Sequence, residues 1–138
     1  MAVIDYQNEI FTGFVNAIRA AHEGVKLSSE YTRSPAAFPF ISCDEIGNTD
    51  IPRLTDSSRK EKYARLQYRV AVFSNLTNGK KAEARRLLAT ADAYMKGLGF
   101  IRTTYTTTPD IYQSTVYSIT ATYEAVITAE GLLYGRES

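Results

Sequence analysis

The stretch from Tyr63 to Asn75 restricts the fold most, because it holds the clearest strand pattern in the chain. Apolar side chains occupy every second position, namely Ala64, Leu66, Tyr68, Val70 and Val72. Arg65, Gln67 and Arg69 lie between them. A repeat of two residues is that of a β-strand, whose successive side chains point to opposite faces. The pattern predicts a long strand with one face in the core and the other towards water or a partner.

Two amphipathic helices are predicted, one before this strand and one after it. Between Asp5 and Ala21, apolar side chains recur every three or four residues, at Ile10, Phe14, Ile18 and Ala21. A second set follows the turn Thr77-Asn78-Gly79 and ends near Gly97 and Gly99; it consists of Ala84, Leu87, Leu88, Ala91, Met95 and Leu98. This spacing places the apolar side chains on one side of a helix, and glycines favour the helix end.

Four further strands complete the prediction. Residues 25–31 alternate, and residues 38–41 form an apolar cluster after the Ser34-Pro35 break. Residues 100–107 and 113–128 are rich in Thr, Tyr, Val and Ile and predict a hairpin around Pro109-Asp110. The inward side of its second strand is predicted to hold Tyr117, Ile119, Ala121, Tyr123, Ala125 and Ile127. The fold class is therefore α+β, with a mostly antiparallel sheet of about four to five strands packed against two helices.

The chain of 138 residues is predicted to form one domain, residues 1–138, with a flexible loop and a loose tail. Residues 46–61 are rich in turn-forming side chains and lack an apolar pattern, so they are expected to form a long loop. Residues 130–138 follow the last predicted strand and are expected to form a C-terminal tail.

The overall charge argues against several classes of function. Lys and Arg number 16 against 15 for Asp and Glu, so a net charge of +1 gives no bulk attraction to nucleic acid or to a membrane. No apolar run approaches the roughly 18 residues of a membrane span. Residues 1–5 lack the basic start and the apolar stretch of a signal peptide. The single cysteine, Cys43, cannot form an intrachain disulfide. These features favour a protein made and kept in a cytoplasm.

The sequence predicts no enzyme, no metal site and no cofactor. His22 and Cys43 are the only residues of their types, which excludes zinc sites built from three or four such ligands. Cys43 lies beside the apolar cluster 38–41, so a buried thiol is expected instead of a nucleophile paired with His22. The acids Asp44, Glu45 and Asp50 lack the spacing of a calcium loop.

Charge is instead segregated along the chain. Residues 1–50 hold three basic and seven acidic side chains, and residues 53–69 hold six basic and two acidic ones. Residues 80–96 have a balance of +3 and residues 104–138 a balance of −3. Complementary regions of this kind suit head-to-tail self-association, in which one face of a subunit meets a different face of its neighbour. Neutralisation of these faces within one subunit is the alternative.

Several short segments of the sequence resemble one protein family. They are residues 68–75, 79–84 and 95–100, together with 116–119 and 121–127 near the end of the chain. These stretches resemble the tail terminator, or tail completion, proteins of long-tailed bacteriophages, and the similarity spans about residues 5–134.

The resemblance implies a small α+β subunit of a structural ring in the neck of the virion. Such a ring, typically of six copies, caps the head-proximal end of the tail tube, ends tube polymerisation and offers a surface for head-tail joining. The implied partners are further copies of the chain, the tail tube protein and the head-tail connector protein. Assembly would take place in the cytoplasm of the bacterial host, without a membrane and without a specific nucleic acid.

The positions of such contacts are inferred from charge and expected exposure. No motif of the family indicates them. The residues expected at the subunit interface are Arg65, Arg69, Lys81, Arg85 and Arg86. The residues of the long loop expected to contact the tube or the connector are Arg53, Asp56, Arg59 and Lys60.

Two other functions stay open at the level of sequence. One is a head-tail connector stopper or adaptor, which also forms rings from small domains. The other is a small domain that binds a ligand or nucleic acid through Tyr63, Arg65 and Arg69; binding of nucleic acid would weaken steeply with salt.

Overall fold

Helices and strands follow one another in the order that the sequence predicts. The structure is a computed structural model that describes residues 7–32, 35, 37–50, 63–109 and 116–128. Its elements are α1 (Gln7–Ala21), β1 (Lys26–Ser28), β2 (Phe40–Asp50), β3 (Tyr63–Ser74), α2 (Lys80–Gly97), β4 (Ile101–Pro109) and β5 (Tyr117–Thr128). The predicted strand at residues 25–31 is thus shorter than expected. Its chain turns after β1, where the Glu30 amide donates to the Ser28 hydroxyl at 3.0 Å.

The five strands form one mostly antiparallel sheet, which confirms the predicted α+β class. Their spatial order is β1-β2-β3-β5-β4, and β1 with β2 is the one parallel pair among the described strands. The central strand β3 pairs along its whole length with β5 and along most of it with β2. The predicted hairpin of β4 and β5 is present as an antiparallel pair.

Both helices pack against one face of the sheet, here called the inner face. The buried side chains of β3 on this face are those predicted, namely Ala64, Leu66, Tyr68, Val70 and Val72. From β5 come Ile119, Ala121, Tyr123, Ala125 and Ile127, as expected, while Tyr117 is half-buried. Helix α1 contributes Ile10, Phe14 and Ile18 to the same core. Burial of such side chains stabilises the fold by about 1.5–3 kcal/mol each before chain entropy is subtracted.

A second, smaller apolar cluster lies on the opposite face, here called the open face. It consists of Ala71, Phe73 and Val116, with Phe38 and Phe40 packed against them. The rings of Phe40 and Phe73 lie 6.0 Å apart, centre to centre. The residues that lead into β2 therefore cover one end of the open face, and most of the other side chains that β3 and β5 present there are polar.

The predicted loop at residues 46–61 is wrong in its first part. Strand β2 continues to Asp50 and pairs with β3 as far as Asp50 with Ala64. A β-bulge between Glu45 and Gly47 shifts the register and leaves Ile46 46% exposed. The apolar alternation is lost at the bulge, yet backbone hydrogen bonds to β3 continue the strand without it. Residues 51–61 and the predicted tail lie outside the described residues.

The crossing of α1 and α2 depends on a glycine. The Tyr94 hydroxyl of α2 donates to the Ile10 carbonyl oxygen of α1 at 2.9 Å. Its ring also meets Phe14 edge-on, with centres 5.9 Å apart. A Cβ atom at Gly13 would overlap the Tyr94 hydroxyl. Gly13 therefore allows the two helices to approach at this point.

We expect Gly13→Ala to lower the free energy of unfolding by about 1–2 kcal/mol, because the overlap outweighs the helix propensity that alanine gains over glycine, about 1 kcal/mol. Chemical denaturation measures this change. In the double variant Gly13→Ala/Tyr94→Phe the hydroxyl is absent, so alanine at position 13 should lower the free energy of unfolding by less. Strictly additive effects of the two substitutions would contradict the contact.

Candidate assembly surfaces

The open face of the sheet holds the two arginines of β3 that the sequence places at a subunit interface. Arg65 and Arg69 both lie on this face, as predicted. Each one also meets an acidic side chain from a neighbouring strand. Arg65 pairs with Glu124 of β5, and Arg69 pairs with Asp44 of β2.

The Arg69 guanidinium makes the more extensive of the two contacts. Its Nε and Nη2 atoms donate to the two carboxylate oxygens of Asp44 at 3.2 and 2.7 Å. The Tyr31 ring stacks on the guanidinium, whose carbon lies 4.0 Å from the ring centre. A two-pronged hydrogen bond and a stacked ring match the flat shape of arginine. The charge of Arg69 is therefore neutralised and partly shielded within the subunit.

The contact of Arg65 is closer to solvent. Its Nε lies 2.8 Å from Oε1 of Glu124, and the two side chains are 48% and 35% exposed. Exposed ion pairs contribute about 0–1 kcal/mol, because water screens them. The geometry of both arginines therefore agrees with the alternative drawn from the sequence, in which the charges are neutralised within one subunit.

The outer side of α2 presents a different arrangement. Lys81, Arg85 and Arg86 are exposed along its first two turns, and we call these three residues the α2 ridge. No ion pair joins the ridge to an acidic side chain of the described residues. The nearby Glu83 instead accepts a hydrogen bond from the Ser74 hydroxyl at 2.6 Å. The ridge is thus a cluster of positive charge without a matching acid in the described part of the subunit.

A groove of about 360 Å³ lies where the end of α1 meets the start of α2. Its lining includes the carboxylates of Glu23 and Glu83, the guanidinium of Arg86 and the ring of His22. His22 Nε2 lies 2.7 Å from the Thr90 hydroxyl of α2. This hydrogen bond gives His22 a structural role in joining the two helices.

The loop residues expected to contact the tube or connector lie outside the described residues. These are Arg53, Asp56, Arg59 and Lys60. The described surfaces that could meet a partner are therefore the open face, the α2 ridge and the edges of the sheet.

A cluster centred on Asp92 anchors the start of β4 to α2 and β5, and the sequence did not predict it. Oδ1 of Asp92 accepts hydrogen bonds from the Tyr123 hydroxyl at 2.7 Å and from Arg102 at 3.0 Å. Its Oδ2 lies 2.9 Å from the Lys96 ammonium. The spacing of Asp92 and Lys96, one helical turn, was a visible signal, but the partners from the sheet need the fold to be known.

The Asp92 carboxylate is held in its charged form. Burial by itself would raise its pKa, but the hydrogen bonds from Tyr123 and Lys96 and the charge of Arg102 outweigh burial and lower the pKa below its ordinary value. For Tyr123 the burial of the ring and the bond to Asp92 raise the pKa. The cluster therefore holds a charged carboxylate and a neutral phenol over the whole physiological range.

Cys43 has the character of a core residue. It is 1% exposed, and burial followed by the charge of Asp44 raises the pKa of its thiol to about 12. A thiol of this kind is not a thiolate at neutral pH. Among residues 7–50, 63–109 and 116–128, as far as they are described, no group of three potential metal ligands converges. Neither described helix is long and apolar enough to cross a membrane.

No protein-family model and no curated protein matches the chain.

We expect Arg69→Lys to lower the free energy of unfolding by about 1 kcal/mol, because an ammonium group replaces neither the two-pronged bond to Asp44 nor the stacking on Tyr31. Urea denaturation measures this change. The matched control is Arg65→Lys, whose exposed pair with Glu124 should change stability by less than about 0.5 kcal/mol. Equal effects of the two substitutions would contradict the distinction between them.

We expect Asp92→Asn to lower the free energy of unfolding by about 1–2 kcal/mol at pH 7, because the amide lacks the charge that binds Lys96 and Arg102. The folded-state pKa of Asp92 is lowered, so its contribution is complete above the unfolded-state pKa of about 3.9 and is lost as the pH falls through the folded-state value. Denaturation at pH 7 and near pH 2 measures the difference.

The exposed carboxylate of Glu9 supplies the control for this experiment. Glu9→Gln should change stability little at either pH, since surface substitutions usually stay within about 0.5 kcal/mol. A cost of Asp92→Asn that is the same at both pH values would contradict the role of its charge.

Proposed function

We propose that this chain is a subunit of a ring that caps the head-proximal end of a bacteriophage tail tube. The ring would end tube polymerisation and provide the surface to which the head-tail connector joins. The proposal begins from the resemblance of residues 5–134 to tail terminator proteins. An α+β domain with two helices on one face of a sheet is consistent with it, although such folds serve many functions.

The α2 ridge is the observation that supports the proposal best. A ring of identical subunits needs a heterologous contact, in which two different surfaces of the subunit meet. Lys81, Arg85 and Arg86 lack acidic partners in the described part of their own subunit, so they are available to a neighbour. Exposed carboxylates outside the ridge and its neighbouring groove are present at Glu9 and Glu30. Charge complementarity of this kind sets the orientation of a contact.

The ion pairs of the open face change which residues are proposed for the ring contact. Arg65 and Arg69 already bind Glu124 and Asp44, so breaking these pairs would cost part of any gain from an intersubunit contact. The same pairs weaken the hypothesis of a nucleic-acid-binding face, because two of its cations are neutralised. The ridge on α2 is therefore the principal surface of the proposed ring contact.

The test combines the purified protein with the matching tail tube protein. We expect the wild type to form a closed oligomer, or to form a ring on tube ends, and to produce capped tubes under negative-stain electron microscopy. The variant Lys81→Glu/Arg85→Glu/Arg86→Glu should require at least about tenfold more protein for the same capping, because it reverses three interfacial charges.

A control outside the ridge tests whether reversal of charge by itself weakens capping. Arg19 and Lys26 are exposed outside the ridge, so Arg19→Glu/Lys26→Glu should cap tubes as the wild type does. Circular dichroism checks that both variants are folded. A wild-type monomer that ignores tubes at all concentrations would overturn the proposal. Rings that bind connector protein and leave tube ends open would assign the chain to the stopper or adaptor class.

A further inference from the structure

Strand β4 forms an edge of the sheet that is open to pairing. It pairs with β5 on one side, and no strand among the described residues pairs with its other side. Every side chain from residue 101 to residue 107 is exposed. Ile101 is 70% exposed and Tyr105 is 45% exposed. No described strand therefore pairs with the outer backbone N–H and C=O groups of β4, and unpaired groups of this kind are a template for a further strand.

Residues 104–108 of β4 contain neither a charged residue nor a proline, two of the features that protect an edge strand from pairing. Natural edges often carry charged side chains that discourage the approach of a second strand. Arg102 is the one charged residue of β4, and its guanidinium is bound to Asp92 of α2. A register shift at Arg102 and Thr104 protects the start of the strand, but the pairing with β5 is regular from Thr104 to Pro109. Threonine and tyrosine, which make up most of this stretch, favour strands.

We propose that β4 pairs antiparallel with β4 of a second copy of this chain across a two-fold axis. The two five-stranded sheets would then continue into one. Both helix layers would lie on the same side of the joined sheet, because residues opposite each other in an antiparallel pair point to the same face. The contact is isologous, so it is separate from the heterologous ring contact of the α2 ridge.

The composition of β4 identifies a second copy as its partner. A register centred on Tyr105 pairs the regular part of the strand, which begins at Thr104 after the register shift. Thr104 then lies opposite Thr106, on the open face of both copies; threonine pairs across strands are favourable. Each Arg102 lies three residues before Tyr105, so the two arginines are about 20 Å apart, six residues at about 3.3 Å each. The strand is therefore complementary to itself in side-chain type and has no opposed like charges.

The other edge of the sheet matches β4 less well. Strand β1 has only three residues, Lys26–Ser28, and already covers the first residues of β2. The remaining edge of β2 is interrupted by the bulge between Glu45 and Gly47. A regular partner stretch is found in β4 itself, from Thr104 onwards.

The test is the mass of the protein in solution, measured by light scattering over a range of concentrations without tube protein. In the variant Thr104→Lys/Thr106→Lys, the proposed register places lysine opposite lysine on both sides of Tyr105. We expect its mass to be half that of the wild type at the same concentration. This factor of two holds whether the remaining unit is a monomer or a ring, so failure of the ring proposal does not affect the outcome.

Two controls make the result specific. Thr120 lies on the same face but in β5, where it pairs with Thr106 of its own subunit, so Thr120→Lys should keep the wild-type mass. An equimolar mixture of Thr104→Lys/Thr106→Lys with Thr104→Glu/Thr106→Glu should regain the doubled mass, because opposite charges then face each other. Thermal unfolding by circular dichroism checks that every variant is folded.

A cross-link tests the register. Tyr105→Cys should form a disulfide between two copies under mild oxidation, because residue 105 faces its own counterpart at the two-fold axis, whereas Thr107→Cys should not. The native Cys43 is buried, so it gives little background. Equal masses of wild type and lysine variant, or a mixture that stays at half mass, would overturn the pairing. A disulfide at residue 107 without one at residue 105 would overturn the two-fold register.

Discussion

The inner face of β3 is the constraint on which the rest of the structure depends. Its five alternate apolar side chains lie beneath both helices, so a slip of one residue would turn them outwards and bring arginines into the core. That cost fixes the register of β3 against β2 and β5. Fixed registers in turn place Asp44 directly opposite Arg69 and bring Glu124 within reach of Arg65. The ion pairs of the open face are thus a consequence of how the inner face is packed.

Helix α2 is joined to the sheet by polar contacts as well as by apolar ones. Asp92 receives Tyr123 from β5 and Arg102 from β4, and its own helix supplies Lys96. Because Tyr123 and Arg102 belong to the sheet, their hydrogen bonds to Asp92 tie the rotation of the helix to the sheet. That rotation determines which residues of α2 point to solvent. Lys81, Arg85 and Arg86 are exposed for this reason.

Local patterns were sufficient to predict the helices, the central strand and the inward side of β5, because core side chains repeat with the period of their element. They were insufficient where a neighbour decides the outcome. Residues 46–50 have no apolar alternation, and only pairing with β3 makes them a strand. The cluster of Phe40, Phe73 and Val116 joins residues far apart in sequence, so it requires the strand order. The acids that bind Arg65 and Arg69 depend on register in the same way.

The two surfaces proposed for assembly differ in physical character, so salt should affect the two contacts differently. The α2 ridge offers charge, whose attraction for a neighbour weakens as salt screens it over about 8–10 Å. The edge of β4 offers backbone hydrogen bonds and uncharged side chains, and such pairing responds little to salt. Because the ridge lies in the helix layer and the β4 edge belongs to the sheet, a subunit engaged at one surface keeps the other available. Ionic strength would therefore alter the heterologous contact while leaving the two-fold contact nearly unchanged.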